Sequence, residues 1–594
     1  MLRKAVVLLA TAALLLEALP LVAAHGDGHG SESGHGEMDM HDAPNPQPPS
    51  SDAPQSYWSL SEHAGLMYMH IALSVVAWFF VLPVGVMLSV ARSRFALLVQ
   101  FAFLALNGFA LLLGVVYSRK TPDLYENNSH TKIGWIFTWV ASAWLLLAIV
   151  ERYAGRSRAS AIDFEARQPM TAANMAQYER VQNTEAPNPH RFSIDSGQGT
   201  EPNSASLFGH SRSPSCESED QQFLGPTRRY TEDDEAYDAE SEKRGILQGT
   251  AVDRFLSRNV ARYVSGRVLR FIRFTYVVIE RTILLMGLVA LLTGTVVYGG
   301  IGRGNGVFNV LAHFIKGGIF FVYGLLTLGR WMGAFADWGW AWNVKPPKEV
   351  VGRRSAAIPS AEFTESFVIF LYGSINVFLE HLAAWGDAWA PQDLEHVSIS
   401  VLFFGGGLLG MIVESRRMRD LLNTSVLVSK PASQYDDDRW QQPRQYGFSM
   451  NPMPALVILL LGKMMSSHHQ ASMLSTMIHT QWGSMFMGFS LARAFTYIIM
   501  YIRQPTSYLP SRPPTEIITS FCLVAGGITF IVSNKDTVAA LESYGLDAMF
   551  TFTVTMGLTA ILLAWETVLI AIKGWAVRKE ASSTSSKIRS GVLA

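Results

Sequence analysis

Long apolar blocks alternate with short polar breaks at 64–90, 95–117, 132–151, 272–299, 306–329, 361–385, 397–415, 453–475, 478–502, 515–533 and 546–573. Each is about as long as the ~20 residues an α-helix needs to cross roughly 30 Å of hydrocarbon. The apolar positions run continuously instead of repeating on one face, unlike an amphipathic core helix. The pattern predicts an all-α, polytopic transmembrane helical bundle of about eleven spans.

An earlier apolar block behaves differently. Arg3 and Lys4 precede "AVVLLATAALLLEALPLVAA", which ends at Val22-Ala23-Ala24. A basic start, a short apolar region and a small-residue end are the marks of a secretory signal peptide, expected over 1–24. The expected organisation continues with a His/Met-rich disordered lumenal tail (25–60), a three-span domain (61–152), a disordered cytosolic linker (153–267), an eight-span domain (268–575) and a cytosolic tail (576–594). The linker is rich in Ser, Gly, Pro and charge and includes the acidic run "TEDDEAYDAESE", too little apolar surface for a core. It closes with Arg254, Arg258 and Arg262 on one face of an expected amphipathic helix at the inner leaflet, or as ordinary positive flanking of the fourth span.

Basic residues orient the bundle. Arg92 and Arg94, Arg152 and Arg156, Lys345 and Lys348, Arg416 and Arg417, and Lys573 and Arg578 fall in loops that an odd number of spans places in the cytosol. Loop 118–131 departs from this with Arg119 and Lys120, but it also carries the acceptor triplet Asn127-Asn128-Ser129, which suits a lumenal glycan on Asn127. The expected location is the secretory pathway or plasma membrane, with the N-terminus lumenal or extracellular, the C-terminus cytosolic and lipid as the surrounding partner.

Composition narrows the function. Apolar residues make up 49% of the 594 and charged residues 16%, with zero formal net charge, so bulk charge points to no nucleic-acid partner. Cys216 and Cys522 are the only cysteines, one in the linker and one in a span, which argues against a structural disulfide or a Cys-based zinc site. No phosphate loop, GxSxG elbow or HExxH is present.

Histidine placement is more informative. His63, His70, His130, His313, His381, His396, His468, His469 and His479 all fall in the expected outer half of the membrane or at its outer edge. Ionisable side chains at membrane depth are costly and usually mark a pathway or ligand site. His70 and His130 open the first and third spans, which run in the same direction. Two imidazoles at similar depth on parallel helices are what a bis-histidine haem b requires. Gly85 and Gly134 are small enough to let helices approach.

The set His70, Trp78, Pro83 and Gly85 followed by His130 and Gly134 resembles the cytochrome b-561 helices. That resemblance implies transmembrane electron transfer between two haems, linked to ascorbate or ferric reduction. The family's second histidine pair has no counterpart here: the second span offers Gln100 and Asn107, and the fourth has no histidine. One outer haem is therefore what carries over. The whole chain, with blocks such as "EHLAAWG" and "HHQ", resembles the fungal YTP-like integral membrane proteins, which implies a secretory or surface location and no particular reaction.

In the C-terminal spans, His313, His381, His396, His468, His469 and His479 form a candidate metal set. Within "KMMSSHHQASMLSTMIH", Met465, His469 and Met473 follow at helical spacing. Thioether with imidazole suits copper(I), and imidazole with carboxylate suits zinc or iron; gap-filling methionine in a helical core is the plain alternative. Glu380 and Glu395 are candidates to orient imidazoles. Lys316, Glu365, Lys463 and Glu516 are candidates for a buried charge network or proton route. The glycine pairs 406/410 and 329/333 are expected to pack helices. His25, His29, His35 and His41 of the tail could capture copper or zinc weakly, or form a plain leader. Three functions follow: a haem-bearing oxidoreductase with an electron donor on the lumenal side, a metal transport or handling protein without haem, or a non-catalytic scaffold.

Overall fold

The computed structural model describes residues 55–166, 266–379, 389, 391–428, 447–467 and 470–591. Each expected span forms one helix: α1 Ala64–Val90, α2 Ala96–Lys120, α3 His130–Ala166, α4 Gly266–Gly299, α5 Gly306–Met332, α7 Ala361–Leu379, α8 Pro391–Glu414, α10 Met453–Ser466, α11 Met473–Ile502, α12 Thr515–Val532 and α14 Ala548–Gly591. Shorter helices α6 Lys348–Ala357, α9 Arg416–Leu427 and α13 Lys535–Ser543 lie between them. Among the described residues there are no strands, and nine helices are long and apolar enough to cross a membrane. The other two are α7, which carries Glu362 and Glu365, and α10 with 14 residues. At 1.5 Å per residue α10 is only about 21 Å long. The signal peptide, the tail, most of the linker and Arg254, Arg258 and Arg262 lie outside the described residues.

Helices α1–α4 form one bundle around Trp78, Phe103, Trp144 and Ile283. Helices α5, α7, α8 and α10–α12 form a second around Phe320, Phe403, Trp482, Phe486 and Phe530. Side chains such as Trp139, Phe101, Phe274 and Phe495 point outward, exposed, as a lipid-facing surface requires. Close approach in the second bundle depends on glycine: a Cβ on Gly317 of α5 would lie 2.6 Å from the Gly527 carbonyl of α12. Gly406 and Gly410 pack closely against Val457 and Ser366, as expected. The 329/333 pair does not act as a packing pair. Gly333 stops α5 with φ 94°, and its N–H donates to the Arg330 and Gly329 carbonyls, because the terminal left-handed turn suits a residue without Cβ.

The last helix joins the two bundles. In α1, Pro83 has no N–H to give the Phe79 carbonyl four residues earlier, and the chain widens to a π-helix over Val76–Val81. Trp565 of α14 donates its Nε1–H to that carbonyl at 3.0 Å. At the end of the same helix, Glu580 Oε1 accepts from Arg94 N at 3.1 Å and from Ser93 Oγ at 3.3 Å. Trp565→Phe keeps the ring beside Phe80 but removes the indole donor from that carbonyl, which should cost about 0.5–1.5 kcal/mol. A lowered thermal midpoint of the detergent-solubilised protein would register it; an unchanged midpoint would mean that the bond does not help to dock α14.

Candidate functional site

His70 and His130 meet inside the first bundle, with ring centroids 6.3 Å apart and planes at 81°. His70 Nδ1 lies 2.7 Å from the Ala110 carbonyl of α2. A carbonyl only accepts, so Nδ1 carries the proton and Nε2 keeps its lone pair. His130 Nδ1 lies 3.1 Å from Thr293 Oγ1 of α4, whose own proton goes to the Val289 carbonyl at 2.9 Å. With its proton on that carbonyl, Thr293 Oγ1 can accept from His130 Nδ1, the arrangement that gives the second imidazole the same tautomer. All four helices contribute: a Cβ on Gly114 of α2 would come within 3.0 Å of the His70 ring, and one on Gly294 of α4 within 3.1 Å of His130.

Those two glycines are the ones that lie close against the imidazoles, not Gly85 and Gly134, where an added Cβ would meet nothing nearer than 3.5 Å. Trp78, from the motif around His70, donates to Asn107 Oδ1 at 2.8 Å, and Asn107 donates on to Thr138 at 2.8 Å. Toward the other end, Gln100 and Ser89 reach Tyr276, and Ser89 donates to Glu280.

A second imidazole pair stands in the other bundle. His313 and His479 have ring centroids 6.5 Å apart and planes at 88°. Each donates Nδ1–H to the carbonyl one helical turn earlier, Asn309 and Ser475, both at 2.8 Å. His313 sits edge-on to Phe530, which stacks on Trp482 at 4.3 Å. His396 is half-buried on α8; His381, His468 and His469 lie outside the described residues. Among the described residues, no three of His, Cys, Asp and Glu are arranged to hold a metal ion. The expected Met465–His469–Met473 face is not continuous. Helix α10 stops at Ser466, and Ser472 caps α11 by accepting from Ser475 N, so two helix ends interrupt the spacing. Met473 is exposed.

A charge cluster occupies the far end of the second bundle. Arg330, 17 residues beyond His313 on α5, lies about 25 Å along that helix. It donates to Glu365 Oε1 at 2.6 Å and Glu362 Oε1 at 2.9 Å. Arg493 of α11 contacts Glu365 Oε2 at 3.4 Å and Glu516 Oε1 of α12 at 2.9 Å. Both guanidinium groups face the Trp342 ring, at 4.5 and 5.2 Å. Of the four residues expected in a buried charge network, Glu365 and Glu516 are in it. Lys463 is exposed and Lys316 lies half-buried nearer the His313 end of α5. Arg330, Glu362 and Arg493 were not anticipated, although Arg493 stands nine residues inside the apolar run that ends α11, a depth that marks a functional or paired charge.

Asn127, the expected glycan acceptor, is exposed in the α2–α3 loop with φ 57°.

Two family descriptions match the chain: Protein YTP1-like, C-terminal, over residues 286–574, and a domain of unknown function, DUF2427, over 51–154. An uncharacterized membrane protein of Schizosaccharomyces pombe is 32% identical over 516 residues, 85% of this chain and 93% of its own. An uncharacterized membrane protein of Saccharomyces cerevisiae is 39% identical over 312 residues, 50% of this chain and 47% of its own. Protein YTP1 of Saccharomyces cerevisiae is 23% identical over 189 residues, 32% of this chain and 34% of its own. No solved structure matches the chain.

Proposed function

The chain belongs to the YTP1-like family of fungal membrane proteins, and we propose that it is a membrane electron carrier that holds one haem b between His70 and His130. The observation that carries this reading is the imidazole pair itself, 6.3 Å between centroids. A metal bound to both imidazoles through bonds of about 2 Å each would require ring centres roughly this far apart. Both Nδ1 atoms are engaged by helix groups, which leaves Nε2 as the ligating atom on each ring. A haem supplies one-electron redox chemistry when bound. The chain's own groups do the rest. Ala110 and Thr293 hold the two tautomers, Gly114 and Gly294 leave room beside the rings, and the apolar spans keep water away. With no second histidine pair on α2 or α4, one redox transition is expected, with an electron donor on the lumenal side.

Dithionite-reduced minus oxidised spectra of the purified full-length protein test this. They should show b-type bands with one haem per chain; a featureless difference spectrum would remove the reading.

The second imidazole pair favours an alternative for the other bundle, in which His313 and His479 handle a copper, zinc or iron ion without haem. Metal analysis of purified protein, compared with His479→Ala, decides it: metal present in both equally would exclude this pair.

The orientation belongs to the same proposal, with the histidines lumenal in the secretory pathway or plasma membrane. A glycan should form on Asn127 and none on Asn423, although both satisfy the acceptor pattern. Glycosidase shifts of Asn127→Gln and Asn423→Gln check it, and a glycan on Asn423 alone would invert the topology.

A further inference from the structure

The second bundle buries three carboxylates against two guanidinium groups. Arg330, Glu362, Arg493 and Glu516 are each at least nine-tenths buried. Arginine does not give up its proton in proteins, so with every carboxylate ionised the cluster would carry a net charge of −1. An uncompensated charge out of water is expensive, and such sites ordinarily neutralise themselves by taking up a proton.

Among the described residues, the groups that face the cluster do not supply the missing positive charge. Tyr323 of α5 and Tyr497 of α11 add neutral phenols, and Glu414 of α8, accepting from Ser360 and Ser449, has Arg419 of α9 as its own counter-charge. Glu516 is where satisfaction runs shortest: it is fully buried, and neither of its oxygens receives a well-aligned hydrogen bond despite the 2.9 Å contact to Arg493. The loop after α5 closes over the cluster. It places buried Trp342 under both arginines with φ 55°, a backbone conformation unfavourable for a bulky residue. Asn343 holds that loop by donating to the Ala336, Val344 and Tyr508 carbonyls.

We propose that the Arg330–Glu362–Glu365–Arg493–Glu516 cluster is a proton-binding site, holding one exchangeable proton that brings its charge to zero. The proton converts one carboxylate to a carboxylic acid and belongs to the cluster as a unit. A distinctive consequence follows from the charge count. Replacing any one of the three glutamates with glutamine makes the cluster neutral without a proton, so each single replacement should release it.

Infrared spectroscopy of the full-length protein in lipid at neutral pH reads this directly, because a carboxylic acid has a C=O stretch that a carboxylate lacks. Wild type should show an acid band that shifts on transfer to D2O. Glu362→Gln, Glu365→Gln and Glu516→Gln should each remove one carboxyl's worth of it. If these variants do not fold, the band is read in protein where three carboxyls outside the cluster, Glu280 of α4, Glu414 of α8 and Glu566 of α14, which has a buried oxygen, are replaced by glutamine, and the cluster must still show it. An acid band that none of the cluster variants diminishes, its absence from the glutamine-substituted background, or a band insensitive to D2O would each overturn the proposal.

Discussion

Replacing either His70 or His130 with alanine should abolish the b-type bands of the purified protein completely, not halve them. The two imidazoles come from different helices, and each is oriented by a third and a fourth: Ala110 of α2 for His70 and Thr293 of α4 for His130. A haem held by both His70 and His130 would lose its bis-imidazole spectrum on removal of either. Gly114→Leu and Gly294→Leu should have nearly the same effect without touching a ligand, because even a Cβ at these positions comes within 3.0 and 3.1 Å of the rings. His313→Ala, in the other bundle, should leave the spectrum intact. Bands that survive in both His70→Ala and His130→Ala would sink the haem reading, whatever the C-terminal histidines do.

The second large effect concerns stability. Arg493→Leu should leave the protein largely unable to survive extraction and mild heating. Arg493 is 1% exposed and stands between Glu365 and Glu516, the latter fully buried. Removing one partner from a buried ion pair costs about 3–5 kcal/mol, since the remaining charge has no water to return to. Against a typical total stability of about 5–15 kcal/mol, that is a large fraction. Arg493→Lys should recover part of the loss, because a single ammonium keeps the charge but cannot present a guanidinium's forked donors to both carboxylates. Size-exclusion profiles after a temperature series would measure the order wild type, Lys, Leu. A Leu variant as heat-resistant as wild type would show that the cluster contributes little to the fold.

Several tertiary features had a visible trace in the chain. Pro83 inside an apolar run announces a lost helical hydrogen bond, and the structure answers it with a π segment and Trp565. The depth of Arg493 within its apolar block was equally visible, but its partners were not. They lie on α7 and α12, and nothing local to residues 490–496 specifies them. The break between α10 and α11 could have been anticipated from "SSHHQAS", where serines compete for backbone groups and end helices.

What the chain determined by itself is the set of membrane helices and the position of each ionisable residue along them. Run length and hydropathy act within a single segment, so no partner is needed to express them. The grouping of those residues was decided by tertiary structure. It pairs His70 with His130 and His313 with His479, puts Gly114 and Gly294 rather than Gly85 and Gly134 against the imidazoles, and gathers two arginines and three glutamates at the far end. Those outcomes depend on how each helix is rotated about its own axis. A helix that is apolar on every side carries little amphipathic pattern to encode that rotation, so the packing of neighbouring helices sets it.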